Sequence, residues 1–102
     1  MQTIPLQAVP SQTVTATLGG QATRINVYTK TTGLYADVLV NDARVIGGVV
    51  CQNGNFIIRD AYLGFIGDLV FYDMQQDDDP DYTGLGTRFM LHYIEWWQIA
   101  KL

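Results

Sequence analysis

Polar and apolar residues alternate from Thr13 to Leu18, TVTATL, and again from Ala22 to Thr29, ATRINVYT, with Gly19-Gly20 between the two runs. Side chains of a strand change sides at every residue, so this pattern predicts a β-hairpin. Val14, Ala16 and Leu18 fall on one face and Thr13, Thr15 and Thr17 on the other. In the returning strand Ile25 and Val27 share the core face, and Arg24, Asn26 and Tyr28 look outward. Thr31-Thr32-Gly33 makes a second short connection into Leu34 to Val40, LYADVLV. The core face there is Ala36, Val38 and Val40, with Asp37 solvated. After Asn41-Asp42 comes the apolar run Arg44 to Cys51, RVIGGVVC, interrupted by Gly47-Gly48. Paired glycines weaken a strand interior and predict a bulge or a sharp bend, as at the corner of a small barrel.

Asn53-Gly54, the strongest short hairpin signal in the chain, turns it into a further strand at Phe56 to Arg59, FIIR. Ala61 to Tyr72, AYLGFIGDLVFY, is rich in aromatic and branched residues. Gly64 and Gly67 disfavour the helix it could otherwise form, each costing roughly 1 kcal/mol relative to Ala. Arg88 to Trp97, free of glycine and proline, reads as a strand through about Ile94 in preference to a terminal helix; WWQIAKL beyond it is open among strand, helix and docked arm. Pro5 and Pro10 confine the first segment to an edge strand or an extended arm. Six or seven short strands separated by turns predict an all-β fold, a small antiparallel meander closed into a barrel or folded into a compact sandwich. With no linker, repeat or low-complexity tract, residues 1–102 form a single domain.

Composition sharpens this picture at three points. A hydrophobic fraction of 48% against 16% charged residues excludes general disorder and leaves little charge for the surface, so some apolar surface is expected to be covered by another protein. The opening MQTIPLQAVPSQ lacks a basic start with a long apolar run, and no apolar stretch approaches the ~20 residues needed to cross a bilayer. A soluble protein made in the cytoplasm, with no membrane partner, is expected. The single cysteine, Cys51, follows Val49 and Val50 and is expected as a reduced, buried thiol.

Asp73 to Phe89, DMQQDDDPDYTGLGTRF, changes the picture most. It holds Asp73, Asp77, Asp78, Asp79 and Asp81, five of the ten acidic residues, with no basic residue before Arg88, so the net charge of −4 belongs to this one exposed, shaped loop. Such a charge acts on partners within about a Debye length, ~8 Å at physiological salt. Asp77, Asp79 and Asp81 have the spacing of the first ligands of an EF-hand. Tyr82 stands where that loop needs glycine, Arg88 where it needs a closing Glu, and Pro80 intervenes, so a solvated Asp-Pro turn is the better reading and no metal is expected. Gly84-Leu85-Gly86 lacks the third glycine of a dinucleotide fingerprint and the Lys-Ser/Thr of a P-loop, which leaves it a conformational role and no cofactor.

Catalysis has few candidates. His92 is the only histidine, and Cys51 and Ser11 are the only thiol and serine nucleophiles, too thin an inventory for a triad or a zinc set. Six scattered basic residues in an acidic chain make no nucleic-acid footprint. Trp96 and Trp97 are more informative: adjacent strand residues point to opposite faces, so burying both requires something on each side. A core plug and a partner interface are equal readings of the pair. Asp77, Asp78, Asp79, Asp81, Tyr82, Trp96 and Trp97 are the candidate interface residues.

MQTIPLQAVPSQ, VNDARVIGGVVCQNGNFIIRDAYLGFIGDLVFYD and DDDPDYTGLGTRFMLHY together resemble the small baseplate plug proteins of contractile-tailed bacteriophages, along roughly the whole chain. The resemblance implies a β-rich, non-enzymatic virion component at the central hub of the tail baseplate, near the end of the tail tube. It further implies hub, spike and tube neighbours and a homo-oligomer made in the host cytoplasm. No catalytic or metal-binding position accompanies it. The alternative is a β-domain binding a small molecule or carbohydrate in an aromatic pocket around Tyr35, Tyr62 and Trp96.

Overall fold

A computed structural model describes residues 2–59 and 67–95 and shows an all-β sandwich of two antiparallel sheets. The strands are β1 (Gln2–Ile4), β2 (Ser11–Leu18), β3 (Gln21–Lys30), β4 (Gly33–Val40), β5 (Ala43–Val50), β6 (Gly67–Asp73) and β7 (Phe89–Glu95). β2 to β5 form a meander in sequence order, and the second sheet has the order β1-β7-β6. Of barrel and sandwich, the chain adopts the sandwich. Closure stops after β5: the chain leaves that strand at Cys51, whose N–H donates to Leu34 O at 2.8 Å, and then runs along the edge of β6.

The β2–β3 hairpin closes on Gly19 and Gly20, with φ of +56° and +79°, the twist-matched turn that two left-handed residues permit. Asn41 and Asp42 repeat it between β4 and β5, with φ of +50° and +65°. The predicted alternation holds. Ile25, Val27, Ala36 and Val38 are closed off from solvent, and they meet Leu69, Phe71, Phe89, Leu91 and Tyr93 of the second sheet in one core. β1 ends immediately before Pro5, as an edge strand must. β7 reaches Glu95, one residue past the expected end.

Two expectations need correction. Asp37 is not simply solvated. It lies half-buried opposite Gly47-Gly48, where the β4–β5 pairing slips. Its Oδ1 accepts the Gly48 N–H at 2.7 Å and the Tyr28 hydroxyl at 2.9 Å, and Asn26 donates to Oδ2 at 3.5 Å. Burial alone would raise its pKa, but these donors and the Arg44 charge hold it below the usual carboxylate value. The bulge foreseen at the glycines is therefore locked by a carboxylate.

Phe56 to Arg59 is not a strand, and Asn53-Gly54 turns the chain without building a hairpin. Asn55 N–H donates to Gln52 O at 3.2 Å, and the chain then touches β6 through single bridges, Asn53 to Phe71 and Phe56 to Val70. Asp68 is the reason the segment departs from a ladder. This fully buried carboxylate accepts N–H bonds from Ile58 at 2.8 Å, Arg59 at 2.7 Å and Leu69 at 2.6 Å, which pins a bend with Arg59 at φ +64°. Among the described residues the exposed large hydrophobics are Val50, Tyr72 and Met74.

Asp68→Ala leaves those donors unpaired in the interior, so an unfolding free energy lower by on the order of 3 kcal/mol is expected in urea titrations. Asp68→Asn, which keeps an acceptor, should lose less.

Candidate functional site

β6 and β7 pair antiparallel up to Asp73 and Phe89, and the acidic segment spans the gap between those residues. Its base is a bidentate ion pair: Arg88 Nε donates to Asp73 Oδ1 at 2.9 Å and Nη2 to Asp73 Oδ2 at 2.8 Å. Arg88 Nη2 also reaches Asp78 Oδ2 at 2.7 Å, and the guanidinium lies 4.8 Å from the centre of the Phe89 ring. The Asp73 side chain is wholly enclosed and also accepts the N–H groups of Gln75 at 2.9 Å and Asp78 at 3.0 Å. The Arg88 guanidinium, helped by these amides and opposed by burial, holds the Asp73 carboxyl well below the usual carboxylate range.

The rest of the loop is tied down piece by piece. Asn53 joins it to the preceding turn, its N–H donating to Asp79 Oδ1 at 3.0 Å while its own Oδ1 accepts the Asp73 N–H at 2.8 Å. Pro80 is buried beneath. Asp81 caps a single 3-10 turn, Tyr82–Gly84, by accepting the Thr83 N–H at 2.9 Å and the Thr83 hydroxyl. Leu85 plugs into the core, and Gly86 at φ +81° passes so close to the Leu6 carbonyl that any side chain there would collide with it.

The site residues named from sequence are distributed accordingly. Asp77, Asp78, Asp79 and Asp81 are exposed on one held loop, and Tyr82 is half-buried against the core. Trp96 and Trp97 lie outside the described residues, as does Tyr62. Among the described residues, no three His, Cys, Asp or Glu side chains converge as metal ligands. What the sequence reading missed was the positioning set, Arg88 and Asn53. Arg88 had a signal: it is the first cation after five aspartates, and it directly precedes the closing strand.

Other candidate groups sit apart. Cys51 is buried, and burial pushes its thiol up to about 12, so it stays protonated. His92 is half-buried on the outer face of the second sheet, its Nδ1 3.1 Å from the Thr3 hydroxyl, and desolvation lowers its pKa. Tyr35 stacks on Tyr28 at 6.2 Å with the Lys30 ammonium over both rings. The two open hollows described are lined by Thr15–Thr17, Ala22–Arg24 and Asn41-Asp42, and by Pro5–Gln7 with Gln12–Val14, without an aromatic side chain in either.

Two predictions follow from this geometry. Asp73 has its pKa depressed in the folded state, so its contribution to stability is full above the unfolded value of about 3.9 and is lost progressively as pH falls from there through the lower folded value. Arg88→Gln should move the Asp73 carboxyl titration, followed by NMR, back up toward the ordinary range, lowering stability at neutral pH and shrinking the share of the acid-induced loss that Asp73 contributes. An unmoved midpoint would remove Arg88 as the cause. Gly86→Ala should destabilise by roughly 1–3 kcal/mol through backbone strain and the Leu6 contact, measurable by thermal unfolding.

A search of curated proteins finds no match. The family model of the cyanophage Pam3 baseplate plug gp18 matches residues 1–96, which include both sheets and the stapled loop. The chain therefore belongs to the cyanophage Pam3 gp18 family of phage baseplate plugs.

Proposed function

We propose that this protein closes and joins the central hub of a phage tail baseplate near the end of the tail tube, in more than one copy, contacting hub, spike and tube proteins. Family membership itself makes the chain a structural component of a baseplate, and hence of the virion tail. Assembly from chains made in the host cytoplasm completes the reading.

The observation that carries it is the family match across residues 1–96 together with a loop built to present charge in one shape. Four exposed aspartates on a tied loop give orientation and exclude acidic partners, while affinity comes from a few apolar anchors. Trp96 and Trp97 are the proposed anchors, with Asp77, Asp78, Asp79, Asp81 and Tyr82 as the surrounding contact set.

Cryo-electron microscopy of tails with and without the chain tests the placement: density for a two-sheet domain at the hub end should be present in the first and missing in the second. Density confined to another part of the tail would overturn it. Trp97→Ala should weaken binding to purified hub complex by more than about 2 kcal/mol, roughly thirtyfold in Kd, with the monomer equally stable. Unchanged affinity would take Trp97 out of the interface.

A further inference from the structure

Two sheets present four strand edges, and three are blunted. β1 has only three residues. The outer edge of β6 is covered by the following backbone contacts: Gly54 N–H to Phe71 O at 2.8 Å and Ile57 N–H to Leu69 O at 2.9 Å. β5 carries two register shifts, and bulges of that kind spoil an edge as a template.

β2 has none of these guards. Its register with β3 is unbroken from Ser11 to Leu18, and the strand contains no charge and no proline. The Gly19-Gly20 turn makes Leu18 and Gln21 the hydrogen-bonded closing pair, so Leu18, Ala16 and Val14 direct their backbone groups to β3. Thr13, Thr15 and Thr17 then direct theirs outward. Among the described residues no strand takes them up. Val14 and Ala16, on the core-facing side, remain half-exposed, whereas Ile25 and Val27 on the neighbouring strand are closed off. The burial is incomplete at this edge.

The sequence of the open stretch names its occupant. Gln12 exchanges two bonds with the Gln7 backbone, at 3.0 Å and 2.7 Å, which closes the start of the edge. What remains, Thr13-Val14-Thr15-Ala16-Thr17, reads nearly the same in both directions. Laid antiparallel on itself about Thr15, it pairs Thr13 with Thr17, Thr15 with Thr15 and Val14 with Ala16, and the three threonines supply outward-facing backbone groups to each other. Threonine pairs across strands are favourable, and no like charges oppose.

We propose that β2 is a docking edge for the β2 of a second copy of this chain, antiparallel and centred on Thr15, joining two meanders into one continuous sheet. The ends of that sheet are the two bulged β5 strands, so growth stops at the dimer. The inference rests on the reading above only in that more than one copy is present; the pairing is a property of the purified chain.

Light scattering after size exclusion, over a concentration series, tests it. Wild type should reach the mass of a dimer. Thr15→Pro removes an outward N–H that β3 does not use, and Thr15→Lys sets two cations opposite each other; both should run as monomers. Circular dichroism and melting of Thr15→Lys confirm that the fold is kept. A wild type that stays monomeric throughout, or a dimer that survives Thr15→Lys, overturns the proposal. A trimer or hexamer overturns the two-fold pairing and leaves the baseplate reading standing. Absence of the chain from tail density would sink the baseplate reading without touching the dimer.

Discussion

A backbone N–H shut away from water must find an acceptor, and in this protein an aspartate supplies one at several of the places where a strand ladder stops or slips. Asp68 is the case on which the most depends. Its carboxylate gathers three amides in the interior, and through them it fixes where the chain bends after β5 and how it meets β6. Without that acceptor the Phe56–Arg59 bend would have to continue a ladder or open to solvent.

The same device recurs at the irregular places nearer the surface. Asp37 takes the Gly48 amide at the bulge, Asp73 takes Gln75 and Asp78, Asp79 takes Asn53, and Asp81 takes Thr83. An acidic composition that looks like a surface property is therefore largely a structural one. Its consequence for a baseplate component is a local negative charge held at fixed positions. Arg88 offsets one of the five charges and fixes the shape of the others, so a partner within the short range of the field meets an oriented pattern.

The meander was legible because its information is local. Alternation in TVTATL and ATRINVYT, the paired turn residues and the slip at Gly47-Gly48 are all written within a few residues of where they act. Asp37 and Asp68 were not legible as acceptors at the irregular places, since the backbone donors there, Gly48 for Asp37 and Ile58 and Arg59 for Asp68, lie 9 to 11 residues away and are groups that almost every residue carries. For the same reason FIIR looked like a strand: its side chains suit a sheet, but the amides of Ile58 and Arg59 are claimed by a carboxylate. In the candidate site, the acidic loop could be seen in the sequence as a charge, and its rigidity could not. That depends on Asn53, 26 residues from Asp79, and on a buried Pro80 whose surroundings no local pattern reports.

The low charge content leads to the expectation that some apolar surface is covered by another protein, and among the described residues the large exposed hydrophobics are Val50 on the β5 edge and Tyr72 and Met74 where β6 enters the acidic loop. The described surface offers directional groups beside any apolar anchor: a strand edge that can be paired, carboxylates fixed in position, and an apolar margin of Tyr72 and Met74 next to them. Contacts of that type specify register and orientation more than they add affinity, which suits a part that has to sit in one place within a larger assembly.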